Sequence, residues 1–432
     1  DQPRSRGLGD VYKRQIQKEH KMNTKNCFIG QSGGPTVAIN ASLAGVITQC
    51  QEEGFTHIYG MVNGIQGLLE DHFMDLGTTF NSEEKIDALK HSPAMYLGSC
   101  RYKLPTVSDD KDTYDLLFKK FNDLEITDFF YIGGNDSMDT VAKLAAYGET
   151  INSPIHFIGI PKTIDNDLMG TDHTPGFGSA AKYVASSMLE IAYDSSIYKL
   201  DAITIVEIMG RNAGWLTAAS ALARTESNDA PDLIYLPEVV FDKERFLKDI
   251  EEKFKEKSSI MIAVSEGIHD ENGNFLDSGD SQQYDAFGHP IHFGTGKVLE
   301  NICKEHFGCK VRSIELNVLQ RCAMHIASKV DIDESFFIGK KAVETALADH
   351  TNVMMGVKRT SNDPYTAECI YSNVQDIANL EQKVPAEWIT KEGNDITQEL
   401  YDYLYPLIQG EIAITYKNGI PSYIDIAHLK EN

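Results

Sequence analysis

The chain of 432 residues is short of positive charge: Lys and Arg number 40 against 64 Asp and Glu, a formal net charge of −24. That balance repels nucleic acid and anionic membranes, excludes both as partners, and requires any phosphate ligand to be met by a local cationic pocket. Long apolar runs are absent, so no segment approaches the roughly 20 residues that a membrane span needs, and no secretory signal pattern is visible. The 7 cysteines are an odd set without a Cys-x-x-Cys pair, which points to reduced thiols in a cytoplasmic protein. There is no zinc-type cluster, no repeat, no low-complexity tract and no Walker loop with its Gly-Lys pair. Residues 1–21 are polar, aperiodic and precede Met22, and read as a non-native tail.

What is present is the pattern of an α/β protein. Hydrophobic residues make up 42% of a chain too long for one ordinary core, which predicts two lobes plus extras. Strand-like and helix-like segments alternate, as in parallel, doubly wound sheets. The chain centres on residues 131–167. There, Phe129-Phe130-Tyr131-Ile132 runs into Gly133-Gly134-Asn135-Asp136-Ser137 and a helix, and Phe157-Ile158-Gly159-Ile160 runs into Pro161-Lys162-Thr163-Ile164-Asp165-Asn166-Asp167. Loops at the carboxyl ends of neighbouring parallel strands share one crevice, the usual ligand site of such sheets. This crevice is expected to hold a phosphate chain and the hydroxyl that attacks it.

Before these loops the sequence predicts a strand over 27–30, a turn Ser32-Gly33-Gly34-Pro35, a helix over 36–49, a strand over 57–61, a cationic loop carrying Arg101 and Lys103, and a helix over 113–122. After them a second series is expected: strands over 202–208, 233–236, 260–264 and 311–316, an amphipathic helix over 241–254, and a polar surface excursion over 270–290. A helix from 331 and a strand over 353–357 precede a tail rich in Tyr and acid. The stretch Gly176-Phe177-Gly178-Ser179-Ala180-Ala181 matches a relaxed dinucleotide fingerprint. No strand leads into it, and no acid suited to a ribose stands at the end of a later strand. A hinge between lobes is therefore the better use of its glycines than a nicotinamide site.

Taken together, these loops resemble the 6-phosphofructokinase family over residues 25–348, and more narrowly its pyrophosphate-dependent branch. The marks are the seven residues 161–167, Met209-Gly210-Arg211 after a strand, Glu266 at another strand end, and Arg321 after Gln320. The resemblance implies two Rossmann-like doubly wound lobes with a C-terminal extension. It also implies reversible transfer of phosphate from pyrophosphate to the 1-hydroxyl of fructose 6-phosphate with Mg²⁺. Asp165 is implied as the base, with Thr163 at the moving phosphoryl group and Arg101 beside it. Gly34, Asp136, Ser137 and Lys162 are implied on the donor, and Asn135, Asp136 and Asp167 on the metal. Thr163, Ile164, Asp165, Met209, Gly210, Arg211 and Glu266 are implied on the sugar, with Arg312 and Arg321 clamping its 6-phosphate. The family position of Arg312 reaches into a neighbouring subunit, so a homodimer, or a tetramer, is implied.

Family members that use ATP carry glycine where this chain has Asp136 and Lys162. An uncompensated carboxylate about 4 Å from a phosphate charge costs roughly 4 kcal/mol at an effective dielectric near 20, which favours pyrophosphate. An ATP-dependent 6-phosphofructokinase is the alternative, and a non-catalytic sugar-phosphate regulator on the same fold is the alternative of another class. The chain departs from the family pattern at Asn135, at 35–38, and at Ala202, Val318, Cys322 and Ala323, which leaves little expectation of effector control. The expected division is a donor-binding lobe over 22–176 with a return segment near 320–350, a sugar-binding lobe over 177–319, and an extension over 351–432.

Overall fold

The computed structural model describes residues 25–197, 199–276 and 294–430. The proposed tail over 1–21 and most of the surface excursion over 270–290 lie outside the described residues.

The first lobe is built on a seven-stranded sheet in the order β11-β10-β5-β4-β1-β2-β3. Its strands are β1 (Asn26–Gln31), β2 (His57–Met61), β3 (Phe73–Asp75), β4 (Ile126–Gly133), β5 (His156–Pro161), and, from late in the chain, β10 (Val353–Asn362) and β11 (Tyr365–Asn373). β1 is buried along its whole length and β4 almost so, as expected for central parallel strands covered on both faces. In register, Tyr131 lies between Gly30 on one side and Gly159 on the other. The edges β3 and β11 run antiparallel.

Helix α1 (Ile39–Glu52) starts later than the apolar pattern suggested, because the Thr36 hydroxyl accepts the Ile39 amide at 3.1 Å and keeps the preceding turn irregular. The longer helices that follow are α2 (Lys111–Asp123), α3 (Asn135–Thr150) and α4 (Phe177–Ser196). α7 (Lys329–Leu347) returns to pack on α1. The contact is close: a Cβ on Gly45 would lie 2.1 Å from the Phe336 carbonyl, and one on Gly339 would lie 2.2 Å from that of Ser42.

The second lobe carries a four-stranded parallel sheet, β7-β8-β6-β9, made of β6 (Ala202–Ile208), β7 (Leu233–Tyr235), β8 (Ser259–Ser265) and β9 (Lys310–Glu315). Helices α5 (Lys243–Phe254) and α6 (Thr295–Phe307) bury Phe246, Ile250, Leu299 and Cys303 against it. The match between the apolar series after residue 202 and these strands is close.

One boundary needs correcting. Residues beyond 350 are not all an extension: β10 continues the first sheet in parallel from β5, with Val353 opposite Ile158, and β11 folds back on it. The chain after β11 threads over both lobes. Leu400, Tyr403 and Leu407 enter the core that joins α4 to the second sheet, and Ile424 packs on the core of the first. Among the described residues no helix is long and apolar enough to cross a membrane.

Candidate active site

In the first sheet the chain passes from β1 to β2 on one side and from β4 to β5 on the other, so the loops after the neighbouring strands β1 and β4 splay apart at a topological switch point. The Ser32 amide reaches across to the Ile132 carbonyl at 3.0 Å. The second sheet presents the carboxyl ends of β6, β8 and β9 to the same space. A cleft of about 910 Å³ results, walled by the loops after six strands.

The 161–167 loop lies at its centre. Asn166 takes a left-handed backbone (φ 57°), which Asn tolerates better than most residues. Its amide is buried, donating to the Tyr403 hydroxyl at 3.0 Å and accepting the Thr174 amide at 2.9 Å, while the Thr174 hydroxyl holds the Thr163 carbonyl at 2.9 Å. With Asn166 turned inward, Thr163, Asp165 and Asp167 line the cleft. The Ile164 side chain does not: it is buried in the core with Phe177 and Ile208 and anchors the loop, which leaves only its backbone for the expected contact with the sugar. Alternation along an extended segment explains the split.

Lys162 is nearly fully buried and donates to the Gly34 carbonyl at 2.6 Å. Burial, with Arg321 nearby, lowers its pKa to about 8 despite the pull of Asp165 and Asp167. Burial raises the Asp165 carboxyl above the usual range, opposed by Lys162 and Arg211. Burial, then Asp165 and Glu381, push Asp167 up to about 7. The loop thus combines a carboxylate poised to accept a proton with a cation that can lose one near neutral pH.

On the wall expected to take the phosphoryl donor, Gly34, Asn135, Asp136 and Ser137 line the cleft, as does Arg101. Gly33 has φ 83°, where a side chain would be strained, and Gly34 lies so close to Arg321 that a methyl group would come within 3.3 Å of the guanidinium. Asp136 sits in the first turn of α3, its carboxylate 3.8 Å from Lys103 and more than half exposed.

On the wall expected to take the sugar, Met209, Arg211, Glu266 and Arg321 line the cleft. Gly210 is not on its wall. With φ 133°, it shapes the loop, its amide directed to Glu266 Oε1 at 3.4 Å and its carbonyl accepting the Ser265 hydroxyl at 2.6 Å. The Arg211 Nε is buried and unpartnered, a state that suits an anionic ligand. Arg312 is not brought to this chain's cleft. It lies mid-strand in β9 and pairs with Asp194 at 3.2 Å on the outer face of the lobe, so within one chain it forms no clamp with Arg321.

Among the described residues no group of three or more His, Cys, Asp and Glu converges as a metal cage. Asn135, Asp136 and Asp167 line the cleft as hard oxygen donors. That set fits Mg²⁺, which characteristically binds one or two carboxylates together with substrate phosphate oxygens.

Several residues that line or brace the cleft escaped sequence reasoning. Asn379 and Glu381 reach the cleft from the segment after β11. Tyr403 pins Asn166 from the tail. His428 lies over the Tyr96 ring and bonds the Tyr96 carbonyl at 2.8 Å, bracing the loop that leads to Arg101. None belongs to a motif, and the only signal was an unusual supply of Tyr and acid in the tail.

The chain's residues 26–346 match the family model described as Phosphofructokinase. It is 40% identical over 410 residues to a pyrophosphate–fructose 6-phosphate 1-phosphotransferase of Halomonas elongata, covering 94% of this chain and 97% of that protein. To the enzyme of the same name from Methylococcus capsulatus it is 39% identical over 412 residues, with the same shares covered. The crystal structure of a pyrophosphate-dependent phosphofructokinase from Nitrosospira multiformis superposes with a TM-score of 0.83 at 38% identity, covering 93% of this chain and 96% of that one. The fold, the order of the cleft loops and these likenesses agree: the chain belongs to the phosphofructokinase family.

Proposed function

We propose that this chain transfers a phosphoryl group reversibly between pyrophosphate and the 1-hydroxyl of fructose 6-phosphate, giving fructose 1,6-bisphosphate and phosphate. The observation that carries this reading is the meeting of Asp165, Lys162, Arg211 and Arg321 in one cleft, between a glycine turn on the donor side and an arginine with a buried, unpartnered Nε on the sugar side. Relatives covering almost the whole chain bear the corresponding name.

Phosphoryl transfer asks for alignment, charge neutralisation and an acceptor for the alcohol proton. Asp165 accepts the proton of the 1-hydroxyl, and its raised pKa brings it closer to the operating pH than an exposed carboxylate would be. Lys162, held by Gly34, faces the leaving phosphate. Arg101 and Thr163 supply donors around the moving group. Arg211 and Glu266 hold the sugar, and Arg321 adds positive charge between the two substrates. Asp136, Asp167 and Asn135 would hold Mg²⁺, which would supply charge neutralisation on the phosphates.

Asp136 and Lys162 occupy the donor wall where a nucleotide would need open space, which supports pyrophosphate over ATP. We assign donor binding to the first lobe and sugar binding to the second, and place the enzyme in the cytoplasm as a homodimer in which Arg312 serves the neighbouring site. The test is ³¹P NMR of the reaction from both ends. Fructose 6-phosphate with pyrophosphate, and fructose 1,6-bisphosphate with phosphate, should reach the same mixture. A reaction that proceeds from one end only would reject the assignment.

A further inference from the structure

Residues 379–384 follow β11 as a strap that touches both lobes. On the first lobe, Asn379 Nδ2 donates to Asp139 in α3 at 3.3 Å, Glu381 bridges Leu168 as an antiparallel pair, and the Gln382 amide donates to the Asp167 carbonyl at 2.7 Å. On the second, the Gln382 carbonyl accepts the Trp215 indole N–H at 2.9 Å. One oxygen of Glu238 receives both the Val384 amide at 3.0 Å and the Gly214 amide at 2.8 Å. The strap lies beyond the residues matched by the family model, which end at 346.

Glu381 is where this strap meets the cleft. Its backbone pairs with Leu168, next to Asp167 of the catalytic loop, and its carboxylate accepts the Asn212 side-chain amide at 2.9 Å. Asn212 directly follows Arg211, whose buried Nε is unpartnered. A side chain that fixes Asn212 therefore fixes the guanidinium assigned to the sugar. We propose that Glu381 is a positioning residue of the sugar site, holding the 209–213 loop of one lobe in register with the 161–167 loop of the other through its hydrogen bond to Asn212.

The inference rests on the proposed function, because it needs the 209–213 loop to hold fructose 6-phosphate. The experiment is steady-state kinetics on the full chain with fructose 6-phosphate varied at saturating pyrophosphate and Mg²⁺. Glu381→Ala is expected to raise the KM for fructose 6-phosphate roughly two- to tenfold, the worth of one hydrogen bond, while the KM for pyrophosphate stays within about twofold. Glu381→Gln keeps an acceptor oxygen for Asn212 and should recover most of that loss. Asn212→Ala should reproduce the Glu381→Ala effect, and the double variant should be no worse than the worse single one. An unchanged KM in Glu381→Ala, a Gln variant as impaired as Ala, or additive losses in the double variant would overturn the proposal. If Glu381→Ala does not fold, Asn212→Ala decides on the same readout. Wild-type protein inert toward both substrates counts against the proposed function, whereas active wild type with unmoved variants counts against Glu381 alone.

Discussion

On the donor side of the cleft the loops hold one another within a single sheet. The Lys162 amide donates to the Gly133 carbonyl at 2.9 Å, its Nζ to Gly34, and the Ser32 amide to Ile132. On the sugar side the inner contacts are of the same kind, with the Glu266 amide on the Ile208 carbonyl at 2.9 Å. The outer wall, however, is borrowed: Asn212 is held by the strap, and Arg312 faces away from its own cleft. One half of the site is knit together within a single sheet and only braced from the tail, at Asn166 and Tyr96. The other is completed by distant chain and, in the proposed dimer, by a second copy.

The sharpest way to break that contrast is at the donor end. Asp165→Asn should lower kcat roughly 10²- to 10⁴-fold with little change in the KM for fructose 6-phosphate, measured with pyrophosphate as donor. A loss seen mainly in KM would move Asp165 from the chemistry to binding.

Lys162→Met should cost roughly 10²- to 10³-fold in kcat, as expected for one pre-aligned charge. Because burial lowers its pKa to about 8, Lys162 is charged below that pH and neutral above it. The wild-type rate should therefore fall as pH rises through about 8, and Lys162→Arg, charged throughout, should lack that limb even where it is slower. An identical alkaline limb in both proteins would assign the fall to another group.

Beneath the 161–167 loop, His173 is buried between Asp172 at 2.9 Å and Glu334 at 2.7 Å, with Arg359 on Asp172. Burial disfavours its charge, but Glu334 and Asp172 outweigh burial and push its pKa up to about 9 from 6.5. The stability from this raised pKa is fully present below pH 6.5 and lost as pH rises through about 9. His173→Gln should destabilise by roughly 3 kcal/mol at pH 6 and by less at pH 10, in urea unfolding. An equal loss at both pH values would remove the charge from the account.

The smallest expected effect is on donor choice. An uncompensated Asp136 would exclude a nucleotide about a thousandfold, but Lys103 at 3.8 Å and exposure above one half reduce that. Asp136→Gly should raise the ratio of ATP to pyrophosphate turnover roughly tenfold, in parallel assays of the two donors. No change would transfer donor selection to Lys162 or to backbone shape.

These contrasts also explain what the sequence made legible. The loops after β1, β4, β5, β6 and β8 were readable because each joins an apolar strand to a dense local cluster of Gly, acid or amide, and such a cluster falls near a strand's carboxyl end wherever the sheet goes. The inward turn of the Ile164 side chain was not legible, because residue identity alone does not say which way an extended loop turns its side chains. The assignment of Val353–Asn373 to an extension failed because pairing with β5 depends on sheet order, which local pattern does not carry. Glu381, Tyr403 and His428 act from a tail without periodicity, through long-range contacts that only folding creates.

The most direct test of the central claim is a coupled assay of the purified chain with fructose 6-phosphate and Mg²⁺, comparing pyrophosphate with ATP. The account predicts fructose 1,6-bisphosphate from pyrophosphate, and turnover with ATP at least about tenfold slower. Equal turnover with ATP, or no product from pyrophosphate, would contradict it.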